Sequence, residues 1–313
     1  MKNTRRKNKN TRRKNKNTRK KNKNTRKKNK SVGKHDFVKC GPLSGNKSYT
    51  CFTSKQLFKL KNIWNNRRPD KEITENDPRG IWNKIRIYMQ QSCNRESCWL
   101  KQNIFKLHLD KSEFNIFAPL MPLKWNENKN EWLTGDDIEK VMKQYEKKYP
   151  YFEFIGPTPI DYDTIESYGI CVWEELCKFN LQKTIQRGIK KIGIIFNLDK
   201  HTGPGTHWVS MFINLNKYDI FYYDSTGFGI PKQIKKLVDN IKQQQLLLNK
   251  NKSFTLHVNK NEHQLQNTEC GIYSIHFIIN MLTNKKTWED FQKTRLTDSY
   301  IEKYRDIYFN DKL

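Results

Sequence analysis

Apolar residues return at helical spacing early in the chain. Leu57, Leu60 and Trp64 form one such set and Ile81, Ile85, Tyr88 and Met89 the next, the three-to-four-residue step of a helix with one buried face. Residues 65–80, with Pro69, Pro78 and Gly80, break the two runs apart. The pattern therefore predicts helices from His35 to Asn115. After Pro119 and Pro122 the texture changes. Thr134 or Asp136 can cap a helix whose first turn is acidic, and Pro150 stops it beyond Tyr149. A second helix is predicted over residues 165–187. The apolar runs then become strand-like at 192–198, 208–213 and 218–223, the last two joined by a hairpin-length connection. Residues 272–282 are apolar nearly all round, as in a buried helix. Helix, helix, hairpin, helix is an α+β order.

Composition adds a boundary that periodicity does not show. The 313 residues carry a formal charge of +28, and much of it sits in one block. Residues 2–29 are four copies of a seven-residue unit, Lys-Asn-Thr-Arg-(Arg/Lys)-Lys-Asn, begun at Lys2, Lys9, Lys16 and Lys23. No position of the unit is apolar, so the heptad period cannot build a coiled coil. Seventeen positive charges and no acid lie between Lys2 and Lys30. Such a block repels itself and stays solvated. It is either an arm for nucleic acid or another polyanion, bound through counterion release, or a low-complexity expansion without a dedicated ligand. It has no aromatic side chain to stack on bases. The chain thus divides into a basic tail (1–34), a helical arm (35–114) and a larger domain (115–313).

No apolar run reaches the ~18–20 residues of a membrane helix, and the N-terminal charge is not followed by the apolar stretch of a secretory signal. Seven cysteines is an odd number in a long chain, which predicts a reducing compartment with at least one free thiol rather than a disulfide scaffold. Cys40, Cys51, Cys93 and Cys98 lack the short paired spacing of a zinc knuckle, so buried structural cysteines are expected there and no metal.

The chemistry gathers at the edges of the strands. His207 and Trp208 open one strand after a Gly/Pro-containing loop, and Asp224 closes the next, followed by Ser225, Thr226 and Gly227. In a hairpin the start of one strand lies beside the end of the other, which sets His207 against Asp224. A carboxylate there holds one imidazole nitrogen and turns the other toward a nucleophile. The nucleophile candidate is Cys270, at the N-terminus of the buried helix, where the helix end and an imidazolium both favour thiolate. Gly271 leaves the neighbouring backbone unobstructed. Gln264, six residues upstream, can turn an amide N–H toward a developing oxyanion beside the Cys270 backbone N–H. Taken singly, each residue has an ordinary explanation; it is their order and spacing that point to a thiol hydrolase.

This ordered set, His-Trp, Asp-Ser, then Gln-x-x-x-x-x-Cys-Gly, resembles the adenain and SUMO-protease clan of cysteine peptidases. Trp132-Leu133 through Ile138 is similar to the clan's Trp-Leu-x-x-x-x-Ile helix start. The preceding helical stretch, with Cys98-Trp99-Leu100, looks like the N-terminal arm of the asfivirus-type polyprotein-processing peptidases of large DNA viruses. The resemblance implies a papain-like α+β fold in which helices pack a central mixed sheet. It implies Cys270 as nucleophile, His207 as base and then acid, Asp224 as the group orienting His207, and Gln264 in the oxyanion hole, with Gln266 in that place if the loop register differs. It also implies that Trp132 and Trp208 clamp a Gly-Gly segment of substrate, where core packing is the other use of both rings. No cofactor is required.

Two substrates fit Gly-Gly specificity: a viral structural polyprotein cut during virion maturation, or a host SUMO or ubiquitin-like tail. The tail favours the first, since a polycation stays bound in a particle filled with nucleic acid. The expected sites of action are then the virion and the host cytoplasm. A nucleic-acid-binding virion protein on an inactive peptidase fold is a third reading, and the complete Cys/His/Asp set argues against it.

Overall fold

The computed structural model describes residues 39–45 and 49–311; the basic repeat and the boundary at residue 34 lie outside them. Five strands form one mixed sheet in chain order: β1 (Phe152–Pro159), β2 (Lys191–Asn197), β3 (Trp208–Asn214), β4 (Asp219–Tyr223) and β5 (Thr255–Val258). The two outer pairings are parallel and the two inner ones antiparallel.

Both faces of the sheet are covered, which is why the inner strands are apolar at nearly every position. Ile192, Ile194 and Phe196 of β2, Met211 and Ile213 of β3 and Tyr222 of β4 pack on one side with the helix Lys232–Leu248. Ile195, Phe212, Phe221 and Tyr223 face the other side, against the helices Gly135–Lys148 and Cys270–Thr283. Ile275, Phe277 and Ile278 of the last helix are fully buried, at about 1.5–3 kcal/mol for each such side chain. Gly193 in β2 lets that helix approach. A Cβ there would stand 2.8 Å from Ile278 Cγ2 and 2.9 Å from the Phe152 ring.

The arm has its own core. The helices Ser54–Arg67 and Pro78–Met89 bring Leu57, Leu60, Trp64, Ile81, Ile85 and Met89 together with Trp82, Trp99 and Phe105. Thr53 caps the first helix in a reciprocal box with Gln56, and Asp77 caps the second. Glu96 is buried in this core, accepting from the Cys51 N–H and the Trp82 indole; burial raises the proton affinity of its carboxyl. The arm is tied to the chain's end by Asn310. Its side chain accepts from Lys39 N at 2.6 Å and donates to the carbonyls of Lys39 and Ala118.

Two expectations change, and one strand was not anticipated. Residues 165–187 do not form one helix. They divide into the short helices Glu174–Cys177 and Leu181–Gln186, because Gly169 turns at φ +73° and Asn180 caps a new start. β1 is a strand despite Pro157 and Pro159, the register shifting between Ile155 and Thr158 to pass the first of them. The expectation against disulfides also fails, for six of the seven cysteines, while the expected free thiol is present. Cys40 is bonded to Cys51, Cys93 to Cys98 and Cys171 to Cys177; Cys270 alone is free. Among the described residues no three His, Cys, Asp or Glu side chains converge as a metal site, and no helix is long and apolar enough to cross a membrane.

Candidate active site

The β3–β4 hairpin makes the first half of the site. Ser210 pairs with Tyr223, so the residues just outside the ladder, His207 and Asp224, come together at its end. His207 Nε2 donates to Asp224 Oδ1 at 2.8 Å. Asp224 is 1% exposed, and the turn that follows holds its carboxylate. Thr226 donates to the same oxygen through its backbone N at 2.9 Å and its hydroxyl at 2.7 Å, while Asn259 donates to the Asp224 carbonyl. With Nε2 so engaged, Nδ1 is the ring nitrogen left to face Cys270.

The helix Cys270–Thr283 supplies the second half. Its first residue is Cys270, 2% exposed, close enough for its sulfur to act electrostatically on His207. One turn on, the Ser274 hydroxyl donates to the Trp208 carbonyl at 3.2 Å, pinning the helix to the strand that follows the histidine. Gly271 serves packing here. A Cβ at that position would lie 3.2 Å from Leu133 and 3.3 Å from the Trp208 ring.

Burial of the His207 ring opposes its charged form, but the Asp224 carboxylate and the Cys270 sulfur outweigh it and lift the imidazole to about 9. His207 is therefore held protonated at neutral pH, with the sulfur as its immediate neighbour.

Gln264 is buried in the loop before the helix. The Ser225 hydroxyl donates to its Oε1 at 2.7 Å, and the Ser225 carbonyl accepts from the backbone N of both His263 and Gln264 at 2.8 Å. These bonds fix which way the amide points. Its Nε2 donates one hydrogen to the Gln266 carbonyl and keeps another. Gln266 itself is exposed, and its backbone N donates to Asp298. The loop register thus buries Gln264 and leaves Gln266 at the surface.

Trp132 and Trp208 line one groove of about 760 Å³, with Leu133, Gly135, Pro157 and Gly205. Trp208 is buried and its indole N–H donates to the Leu133 carbonyl at 3.0 Å. Trp132 is half-buried. Packing and groove lining are thus combined in Trp208, whereas Trp132 keeps a partly open face.

A protein of Acanthamoeba polyphaga mimivirus, provisionally named a thiol protease, is 28% identical over 294 residues, covering 87% of this chain and 93% of its own. A cysteine protease of African swine fever virus is 27% identical over 225 residues, 68% of this chain and 81% of that protein. A crystal structure of the African swine fever virus protease superposes with a TM-score of 0.58 at 20% identity, over 88% of this chain and 96% of that one. The chain is a cysteine peptidase similar to the viral proteases of the asfivirus type. The likeness spans the arm as well as the sheet, and the fold is that of the adenain/SUMO-protease clan. Residues 164–312 also match the family described as YopJ serine/threonine acetyltransferase. That match contains His207, Asp224 and Cys270 but begins after Trp132.

The supporting residues of the candidate site were not legible in the sequence. Ser225 reads as a turn residue and Asp298 as an ordinary helix start. Yet Asp298 accepts from the backbone N of Leu265 and Gln266 and from the Tyr273 hydroxyl, holding the Gln264 loop from behind. The one available signal was the Asp-Ser adjacency at 224–225.

Proposed function

We propose that the protein is a maturation endopeptidase that cuts viral structural precursors after Gly-Gly, with Cys270, His207, Asp224 and Gln264 as its catalytic groups. The observation that carries the peptidase chemistry is His207 held between the buried Asp224 carboxylate and Cys270. Cys270 Sγ attacks the scissile carbonyl. The second Gln264 Nε2 hydrogen and the Cys270 backbone N–H receive the oxyanion. His207 passes its proton to the leaving amine, and then, as a base, takes one from the water that hydrolyses the thioester. Asp224 keeps the ring aimed throughout.

Gly-Gly specificity is supported by the groove, where two tryptophans and the backbone around Gly135 and Gly205 line the approach. Chain without side chains passes most readily between flat rings. Action at viral assembly sites, in the virion and host cytoplasm, is supported by the viral relatives. Retention on nucleic acid by residues 2–30 accords with their charge. A second reading, removal of a SUMO-like modifier from host proteins, has one observation in its favour: a relative from another African swine fever virus isolate, 27% identical, bears the name SUMO-1 cysteine protease.

Wild type and Cys270→Ala, given a Gly-Gly-X precursor peptide and a SUMO or ubiquitin fusion in parallel, separate these readings. Cleavage of the precursor alone, reduced at least ~10⁴-fold by the substitution, is the expected result. Cleavage of the fusion alone moves the function to modifier removal. Absence of Cys270-dependent cleavage of both removes the proposal.

A further inference from the structure

Behind the nucleophile stands a buried ion pair. Glu269, the residue before Cys270, is 2% exposed and Arg305 is 6% exposed. Arg305 grips the carboxylate with both branches of its fork: Nε donates to Oε2 at 2.9 Å and Nη2 to Oε1 at 2.7 Å. Nη2 also donates to the Thr268 carbonyl at 3.1 Å. Nη1 donates to the carbonyls of Lys129 at 3.0 Å and Glu131 at 2.8 Å. All five guanidinium N–H groups thus have acceptors, and the guanidinium lies 4.4 Å from the centre of the Trp125 ring. The two backbone segments joined in this way are 268–269, which leads into Cys270, and 129–131, which leads into Trp132.

We infer that Arg305, through Glu269, is a positioning residue that sets the nucleophile at a fixed place relative to the tryptophan-lined groove. This rests on the reading of Cys270 as nucleophile. A fold anchor alone does not require a five-fold-satisfied fork; a device that registers two segments against each other does. Lysine has three donors on a single atom and cannot reach four acceptor groups lying on two sides. The pair also matters electrostatically, because a buried carboxylate next to the reactive sulfur is neutralised only while Arg305 faces it.

A groove of about 570 Å³, lined by Met121, Trp125, Lys129 and Arg305 among others, opens onto the guanidinium. A small cation can therefore reach its place once the side chain is removed. The test uses the full chain in three forms, Arg305→Lys, Arg305→Ala and the double variant Glu269→Gln/Arg305→Met, with kcat, KM and thermal unfolding measured on each. The expected results are a kcat lowered at least tenfold in Arg305→Lys with KM within threefold, and recovery of at least fivefold in kcat when methylguanidinium is added to Arg305→Ala. The double variant, which leaves no buried charge unpaired, should regain thermal stability but not kcat. If kcat in every variant falls only as the folded fraction falls, or if the double variant turns over at the wild-type rate, Arg305 is structural and the inference is overturned. The Cys270→Ala control in the same assay keeps the two ideas apart. Loss of Cys270 dependence removes the peptidase reading, whereas Cys270-dependent cleavage with unimpaired Arg305 variants removes this inference alone.

Discussion

Three histidines of the larger domain sit in two kinds of surroundings. At the open end of β3 and β4, His207 meets a carboxylate and a sulfur, and the ring is lifted to about 9. On the far side of the nucleophile helix, His276 has only neutral partners, the Asn280 amide and the Tyr308 hydroxyl, with the Tyr304 ring 4.2 Å away between centroids. Burial there, aided by Lys286 and Lys285, lowers it to about 3. His263 follows the same rule. Buried near Arg295, with Nδ1 accepting from the Leu296 N–H, it falls to about 4. Burial disfavours the charge of all three. What separates His207 from His263 and His276 is the charge of the group facing it.

The largest test of that contrast is substitution. His207→Ala should lower kcat/KM at least ~10³-fold, whereas His276→Phe, six residues along the helix from the nucleophile, should leave it within about twofold in any variant that stays folded. Equal losses would mean that the helix interior, not the strand edge, decides activity.

Next comes the pH profile. Activity should fall on the alkaline side with a midpoint of about 9 as His207 loses its proton. Asp224→Asn removes a group that raises His207, so the limb should move toward lower pH and kcat should drop by about two orders of magnitude. An unmoved limb would assign the titration to another group.

Smaller still is the effect of Ser225→Ala. It removes the hydroxyl that fixes Oε1 of Gln264 and should cost about tenfold in kcat, less than the ~10²–10³ for losing an oxyanion donor outright.

The smallest expected effect is on stability, and here the two kinds of histidine have opposite signs. His207 is raised in the fold, so its contribution is fully present below about 6.5 and is lost as pH rises through about 9. His263 and His276 are lowered, so theirs is present above about 6.5 and is lost as pH falls toward 4 and 3. Thermal unfolding should therefore show a plateau near neutrality with losses on both sides. His276→Phe should soften only the acid side and His207→Gln only the alkaline side. A variant that alters both sides would show that the contributions are not separable.

How much of this was legible depended on whether the signal was local. The three inner strands were visible within a residue or so of their observed ends because each is a mostly apolar run. The meeting of His207 with Asp224 followed from hairpin geometry alone. The helix starting at Cys270 was equally plain, since only a buried helix is apolar on every side. β1 was hidden by its two prolines, which ordinarily argue against a strand, and residues 165–187 looked helical because propensity does not reveal where a glycine will turn the chain. The helix Lys232–Leu248 carries a run of glutamines that blurs its apolar face. Arg305 had no signal, because its meaning lies in four carbonyl and carboxylate groups far away in sequence. Distant pairings of this sort are the part that local pattern does not encode.

The three disulfides have a practical consequence. While they stand, six of the seven sulfurs are closed to alkylation, and the seventh is the nucleophile candidate. The stoichiometry of a thiol titration then becomes a census of working enzyme: moles of reagent consumed per mole of chain give the fraction of molecules ready to turn over. Strong reductant during purification would destroy that meter, adding up to six silent thiols to every one that counts.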